Sequence, residues 1–147
     1  MLLLRSSHPK GCAPRGFGHG DFWHGNLVVD GDRLTGVVDW DAAGPGRLPL
    51  IDYLHLVANA ERTRHRHASL GETIVSFLLP WARNGGDESA RRLFSLTAGG
   101  HLDAPTLEIL VAAYWLDYVA YQLRLYADRG EPNWFEPNVD SVVEALA

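Results

Sequence analysis

The sequence HGDFWHGN at residues 19–26 decides the fold of this chain. It places a carboxylate, Asp21, five residues ahead of an amide, Asn26, and a glycine directly precedes each of them. Glycines at this spacing favour a tight turn of the backbone over a helix or a strand. The stretch therefore predicts a loop that carries a carboxylate and an amide.

The residues that follow this loop predict a β-hairpin. Leu27–Asp30 reads as a short strand, Gly31-Asp32 has turn chemistry, and Leu34–Trp40 reads as the return strand. Because a hairpin brings the chain back to where it began, Asp39 is expected to lie near Asn26. Two carboxylates and an amide oxygen would then face one point. Hard oxygen ligands of this kind suit Mg²⁺, which takes its remaining ligands from water and from a substrate phosphate.

With these residues in place, the sequence resembles the aminoglycoside phosphotransferase and choline kinase-like family, small-molecule kinases with a protein-kinase-like fold. The family motif is His-Gly-Asp, four residues, Asn, a β-hairpin and then Ile/Val-Asp-Trp, and residues 19–40 fill every position of it. The likeness continues through Gly44 and Pro49 to Asp52-Tyr53-Leu54, which is similar to the family's Pro-x-x-Asp-Leu. The strong match covers residues 19–56, and the helical remainder is consistent with it.

The resemblance implies a chemical role for three of these residues. Asp21 would be the catalytic base that orients the substrate hydroxyl or accepts its proton. Asn26 and Asp39 would bind Mg²⁺ against the phosphates of ATP or GTP. Phosphoryl transfer passes through a loose transition state, so positioning and neutralisation of charge matter more than covalent help from the protein.

Three further residues receive supporting roles from the same resemblance. His19 would brace the catalytic loop. Asp52 would anchor that loop by accepting hydrogen bonds at the start of a helix, which is a structural role. Asp41 has two readings, since it would either add a metal ligand or face a cationic substrate.

The same residues leave two other functions open. A metal-dependent phosphohydrolase would use Asp21, Asp39 and Asp41 around one or two cations. A non-catalytic remnant of a kinase lobe would serve as a binding module that needs a partner chain. The position of Asn26 and the tryptophan that follows Asp39 favour the kinase.

The resemblance implies that residues 1–147 form a single domain, a kinase-like carboxy-terminal lobe whose amino-terminal nucleotide lobe is absent. The residues before His19 contain neither GxGxxG nor GxxxxGK[ST], and the only lysine, Lys10, lies in a Pro/Gly-rich context that suits a loop. A short gene product, a mis-called start codon and a split protein would each explain this pattern. We expect the chain alone to be weakly active or inactive. A homodimer or a separate chain that supplies the nucleotide lobe is the expected protein partner.

Composition fits a soluble globular domain with 46% hydrophobic and 21% charged residues. The net charge of −5 argues against nucleic acid as a partner. One cysteine, Cys12, excludes an internal disulfide and fits the cytoplasm. A membrane partner is not expected, because Asp117, Gln122 and Arg124 interrupt the longest apolar helix. By resemblance, the substrate would be a small-molecule hydroxyl acceptor: an aminoglycoside, another sugar or an amino alcohol such as choline.

The pattern beyond the motif predicts an α+β, mainly α fold, and the resemblance makes it a protein-kinase-like C-lobe with a catalytic loop, a small β-hairpin and several helices. Asp103 is expected to cap the longest helix, along which leucines and tyrosines recur at three and four residues. Because its opposite face is also largely apolar, this helix is predicted to be central. The other predicted helices cover residues 50–61, 71–83 with a kink or end at Pro80, 88–97, and a short final stretch capped by Asn138.

Overall fold

The computed structural model describes residues 15–66, 69–126 and 134–147. Lys10 and Cys12 lie outside these residues. The strands are β1 (Gly16–Gly18), β2 (Leu27–Asp30), β3 (Arg33–Val37) and β4 (Gly44–Arg47). The helices are α1 (Ile51–Arg64), α2 (Leu70–Thr73), α3 (Leu79–Arg83), α4 (Glu88–Ala98), α5 (Ala104–Tyr126) and α6 (Ser141–Leu146), with a 3₁₀ turn at His24–Asn26 and π-helical turns at Ile74–Leu78 and Glu136–Asp140. The predicted α+β, mainly α class is confirmed.

The four strands form two separate antiparallel pairs. β2 and β3 are the predicted hairpin. The return strand ends at Val37 rather than at the predicted Trp40, because Asp39 adopts a left-handed conformation (φ 61°) that a strand does not accommodate. β1 pairs with β4, so residues 19–43 are closed into one unit by paired strands at both ends.

The stretch from α2 to α3 is one helical path with a π turn in its middle. Ser69 starts it with a capping box, in which its hydroxyl accepts from Glu72 N and its own N–H donates to the Glu72 carboxylate. The π turn ends two residues before Pro80, whose ring would crowd the carbonyl four residues earlier in a regular α-helix. The predicted disturbance at Pro80 therefore takes the form of a wider turn rather than a helix end.

The hydrophobic core of the described residues lies between α1, the α2–α3 path, α5 and α6, and α4 adds Ala90 and Phe94 to it. Burying large aliphatic side chains from all four is the main source of stability for such a layered domain. The largest fully buried side chains are Leu54, Leu70, Ile74, Leu78, Leu79, Leu107, Val111 and Val142. Leu50 and Ile51 extend this core to the start of α1, so the residue that follows them, Asp52, has a rigid support.

A buried asparagine joins the carboxy-terminal segment to the core. Asn138 Oδ1 accepts from Gly71 N (3.2 Å), and Asn138 Nδ2 donates to Trp134 O (2.9 Å). The indole N–H of Trp115 donates to Asn138 O (2.7 Å). The prediction that Asn138 caps the final helix is wrong, since α6 begins only at Ser141. The amide instead pairs with backbone groups that would otherwise be buried without a partner.

Replacing Gly71 by alanine is expected to lower the free energy of unfolding by about 2 kcal/mol. A Cβ atom at position 71 would overlap the carbonyl of Pro137, so α2 would have to move away from Asn138. Urea denaturation measures the change. Gly44→Ala is the matched control, because nothing lies within 4 Å of a Cβ atom there. Equal losses in the two variants would contradict this account.

The long helix α5 buries one face only. Asp103 caps it as predicted, with its carboxylate accepting from Thr106 N (2.9 Å). Tyr114 of the predicted stripe is buried, whereas Tyr121 on the same stripe is 59% exposed and Ile109 on the opposite side is 68% exposed. The predicted central position therefore holds for the face of α5 that packs in the core, whereas the opposite apolar face is exposed. Within the described residues, no helix combines the length and apolar character needed to cross a membrane.

Candidate active site

The loop at residues 19–26 is tied to the first turn of α1. Both carboxylate oxygens of Asp52 accept backbone hydrogen bonds, one from His19 N (2.7 Å) and one from Gly20 N (2.9 Å). A carboxylate in the first turn is also favoured by the helix dipole. Two charge-assisted hydrogen bonds from one side chain therefore fix where the loop begins.

The imidazole of His19 is buried and joins this loop to the end of the hairpin. Its Nδ1 accepts from Asp21 N (3.3 Å), and its Nε2 lies 2.9 Å from Val38 O. With Nδ1 accepting, Nε2 carries the proton and donates to the carbonyl. The ring also packs against Trp40, with ring centroids 4.6 Å apart. His19 therefore contacts the loop and the hairpin through backbone groups and an aromatic neighbour.

Asp21 and Asn26 contact each other directly. The amide nitrogen of Asn26 donates to Asp21 Oδ2 (3.1 Å) and to Asp21 O (2.9 Å). Because both bonds use the amide nitrogen, the amide oxygen of Asn26 is left to act as a ligand. Asn26 is buried, whereas the Asp21 side chain is 44% exposed. The carboxylate is thus open to solvent with the amide behind it.

The hairpin returns Asp39 to this pair. Val38 N donates to Asn26 O (3.0 Å), and Asp39 is the next residue along the chain. Asp39 has a positive φ of 61°, a region that is costly for most residues and tolerated by aspartate and asparagine. Backbone strain of this kind persists where the surrounding structure holds it, and it clusters at functional sites.

A cleft of about 590 Å³ opens between the loop and the second half of α5. Its lining includes four of the predicted residues, Asp21, Asp39, Asp41 and Asp52, together with Tyr118 and Tyr121 of the helix. With Asp117 the lining has five aspartates against one arginine, which gives the cleft a negative potential. The structure therefore gathers the predicted carboxylates on one concave surface.

An ion pair closes one side of the cleft. Arg47 of β4 binds Asp117 of α5 (3.0 Å) and also donates to Ala42 O (3.1 Å). The pair is partly exposed to solvent, so its contribution to stability is small. Its geometric effect is to join β4 to the helix that forms the far wall.

A histidine without a predicted role also lies against Asp21. His55 Nε2 is 3.1 Å from Asp21 Oδ1, and His55 Nδ1 is 3.1 Å from the hydroxyl of Tyr114. Burial lowers the pKa of His55; the carboxylates of Asp21 and Asp52 oppose this effect in part, and Arg62 adds to it. Burial therefore favours the neutral form of the imidazole.

Residues 3–94 match the model of the phosphotransferase enzyme family, APH. This range covers more than half of the chain. The chain belongs to this phosphotransferase family. No curated protein and no solved structure matches the chain. The family match ends inside α4, so the α5 wall of the cleft in this phosphotransferase lies beyond it.

Asn26 and Asp39 of this phosphotransferase carry side-chain oxygens, the kind of donor that suits Mg²⁺. Magnesium prefers oxygen ligands and needs only one or two from the protein, since water and phosphates supply the others. Among the residues that the structure describes, no three His, Cys, Asp or Glu side chains are grouped as a metal site.

Sequence reasoning missed His55, Tyr114 and the Arg47–Asp117 pair of the phosphotransferase. A signal for His55 was present, because it lies three residues after Asp52 and shares a helix face with it. Once Asp52 is placed against the loop, His55 must face the same way. Tyr114 belongs to the predicted stripe of α5, which indicated only packing, and no local pattern marks Arg47 or Asp117, whose partners lie far away in the sequence.

Proposed function

We propose that this phosphotransferase moves the γ-phosphoryl group of ATP or GTP to a hydroxyl group of an aminoglycoside, another sugar or an amino alcohol. The observation that carries the proposal is the hydrogen bond between Asn26 and Asp21, made where the hairpin returns Asp39 to the same loop. This arrangement supports a role for Asp21 as a base, beside Asn26 and Asp39 as oxygen ligands for a cation. Phosphoryl transfer needs these two elements close together.

Asp21 is the base in this proposal. Its side chain is exposed to the cleft, so an acceptor hydroxyl can reach it. As the hydroxyl oxygen forms its bond to the γ-phosphorus, the bond from that phosphorus to the bridging oxygen of the nucleotide breaks. Asp21 takes the hydroxyl proton. Mg²⁺ held by Asn26 and Asp39 would neutralise charge on the phosphates.

The acidity of the cleft supports an acceptor that carries amino groups. Asp41 lines the cleft beside Asp21 and Asp39, whereas Arg47 is paired with Asp117. A concave surface with an excess of carboxylates attracts cations. The tyrosines of α5 add aromatic faces that can bind a protonated or quaternary amine. In this proposal, Asp41 faces the amine of the acceptor.

Replacing Asp39 by asparagine is expected to abolish Mg²⁺-dependent binding of ATP while leaving the fold intact. Asparagine tolerates the left-handed backbone at this position, whereas alanine would add strain. A ligand at about 100 times its Kd stabilises the folded state by about 2.7 kcal/mol, which raises the Tm of a chain of this size by roughly 5–10 °C. The measurement is the Tm of wild type and variant with Mg²⁺ and ATP together, with each alone and with neither.

Asp32→Asn is the matched control, because it makes the same chemical change at an exposed turn of the same hairpin. It should keep the wild-type shift in Tm. An equal shift in Asp39→Asn, or an ATP-induced shift that needs no Mg²⁺, would contradict the ligand role of Asp39. A cooperative wild-type transition without any shift would favour the non-catalytic binding module.

A further inference from the structure

Three side chains form a connected path from the protein interior to the carboxylate of Asp21. The buried hydroxyl of Tyr114 lies 3.1 Å from His55 Nδ1, and His55 Nε2 lies 3.1 Å from Asp21 Oδ1. The residues belong to α5, α1 and the loop, so the path connects three separate parts of the fold. Nothing in the reaction described above uses His55 or Tyr114.

A neutral His55 ring satisfies both contacts in one arrangement of protons. A carboxylate only accepts hydrogen bonds, so the single N–H of the ring lies on Nε2 and faces Asp21. Burial raises the pKa of the Tyr114 hydroxyl, so this group stays protonated and can donate to the other ring nitrogen. Nδ1 therefore accepts from Tyr114, and Nε2 donates its proton to Asp21.

Two donors then hold the two oxygens of one carboxylate. His55 donates to Oδ1 of Asp21 and Asn26 donates to Oδ2, each at 3.1 Å. Donors on both oxygens restrict rotation of the carboxylate group, and each oxygen keeps a second lone pair for an acceptor hydroxyl. We propose that His55 is a positioning residue that orients Asp21 toward the cleft, and that Tyr114 fixes the tautomer of His55. This inference rests on the proposed function, because it assigns how the base of that reaction is held.

His19 and His55 differ in the kind of group that their rings contact. Its ring nitrogens bond to backbone groups of Val38 and Asp21, so it acts on the path of the chain. His55 instead contacts the carboxylate itself and lines the cleft. A role in orientation predicts an effect on kcat, whereas a role in folding predicts an effect on Tm.

The first test is the ¹⁵N spectrum of the His55 imidazole in the full chain, recorded near neutral pH without ligands. The wild type is expected to show the neutral Nε2–H tautomer. Tyr114→Phe removes the hydroxyl that faces Nδ1 and keeps the aromatic ring, so the population of the Nδ1–H tautomer should rise above that in the wild type. A Nδ1–H tautomer or a doubly protonated ring in the wild type would overturn the proposal.

The second test compares His55→Leu with His55→Gln in phosphoryl transfer from ATP with Mg²⁺, with kanamycin, glucose and choline as acceptors. Leucine donates no hydrogen bond and should lower kcat by about 100-fold with little change in KM, because a misplacement of about 1 Å at a reacting group costs that much. Glutamine can still donate from its amide to Asp21 and should restore most of the lost kcat. Equal rates for the two variants, or a change in KM alone, would count against the positioning role.

His65→Leu is the matched control for the kinetic test. His65 is an exposed histidine just after α1 and pairs with Glu61 (3.0 Å), away from the cleft. This variant should keep the wild-type kcat. If His65→Leu lost as much rate as His55→Leu, replacing a histidine in this region would lower the rate by disturbing the fold. That result would overturn the proposal.

The two tests separate this inference from the proposed function. In one outcome the wild-type chain transfers no phosphate, but His55 shows the Nε2–H tautomer and responds to Tyr114→Phe. This outcome contradicts the proposed reaction and supports the hydrogen bond by which His55 orients Asp21. A wild-type chain that transfers phosphate, while His55→Leu does so at the same rate, supports the reaction and contradicts the positioning role.

Discussion

Replacing Asp21 by asparagine is expected to lower kcat for phosphoryl transfer by about 10³-fold, the typical contribution of a positioned general base. The amide keeps the size of the carboxylate but cannot take up the hydroxyl proton. It can also accept a hydrogen bond through only one atom, so the hydrogen bond that either His55 or Asn26 makes to this side chain is lost. Because Asp21 is open to solvent, Tm should change little. Initial rates of ADP formation with Mg²⁺, ATP and an acceptor measure the effect.

Asp30→Asn is the control for this experiment, since Asp30 is an exposed aspartate on β2. It should turn over at the wild-type rate. Phosphoryl transfer by Asp21→Asn at more than a small fraction of the wild-type rate would rule out Asp21 as the base. The reaction would then have to rely on positioning and charge neutralisation without a base, which phosphoryl transfer tolerates better than most chemistry.

Replacing Asp52 by alanine is expected to destabilise the fold by about 3 kcal/mol, because two backbone N–H groups lose their acceptors and each unsatisfied group costs roughly 1–3 kcal/mol. These groups belong to His19 and Gly20 at the start of the loop at residues 19–26. For a domain of this size the loss corresponds to about 10 °C in Tm. Asp21 follows directly after Gly20, so transfer activity should fall as well. Differential scanning calorimetry and initial rates measure the two effects.

Asp103→Ala provides the comparison for Asp52→Ala. Asp103 is also an acidic residue at a helix start, but it caps α5 at an exposed position and accepts one backbone hydrogen bond there. Its removal should lower stability by about 1 kcal/mol, as for a typical cap, and should leave transfer activity unchanged. If the two variants lose the same stability and both stay active, Asp52 is no more than an ordinary helix-terminal residue.

The loop and the hairpin could be predicted because their determinants are local. Glycines and turn residues predict the loop and the reversal at Gly31-Asp32, and the strand-like residues on either side predict the two strands of the hairpin. The end of the return strand could not be predicted, because the left-handed conformation at Asp39 leaves no mark in the alternation of apolar residues. The pairing of β1 with β4 was also hidden, since Gly44-Pro45-Gly46-Arg47 has the residues that strands usually avoid.

The site residues that belong to the sequence motif could be predicted. The site residues that are brought together by long-range contacts could not. Positions 19–26 and 39 are close in sequence, so the spacing of the motif residues defines them. His55 and Tyr114 meet across 59 positions, and Arg47 and Asp117 across 70. No periodicity connects residues so far apart. Asn138 was misread for a related reason, because its partners on α2 and α5 outweigh the tendency of asparagine to cap a helix.

The left-handed backbone at Asp39 also affects how this protein can evolve. The residues that this conformation accepts most readily are glycine, asparagine and aspartate itself. An aspartate codon is one base away from an asparagine codon and one base away from a glycine codon. If Asp39 binds the cation, a single point mutation can therefore silence the enzyme and leave a well-folded, abundant protein behind. A lineage that loses selection for catalysis would pass easily to an inactive relative that retains the same surface for other partners.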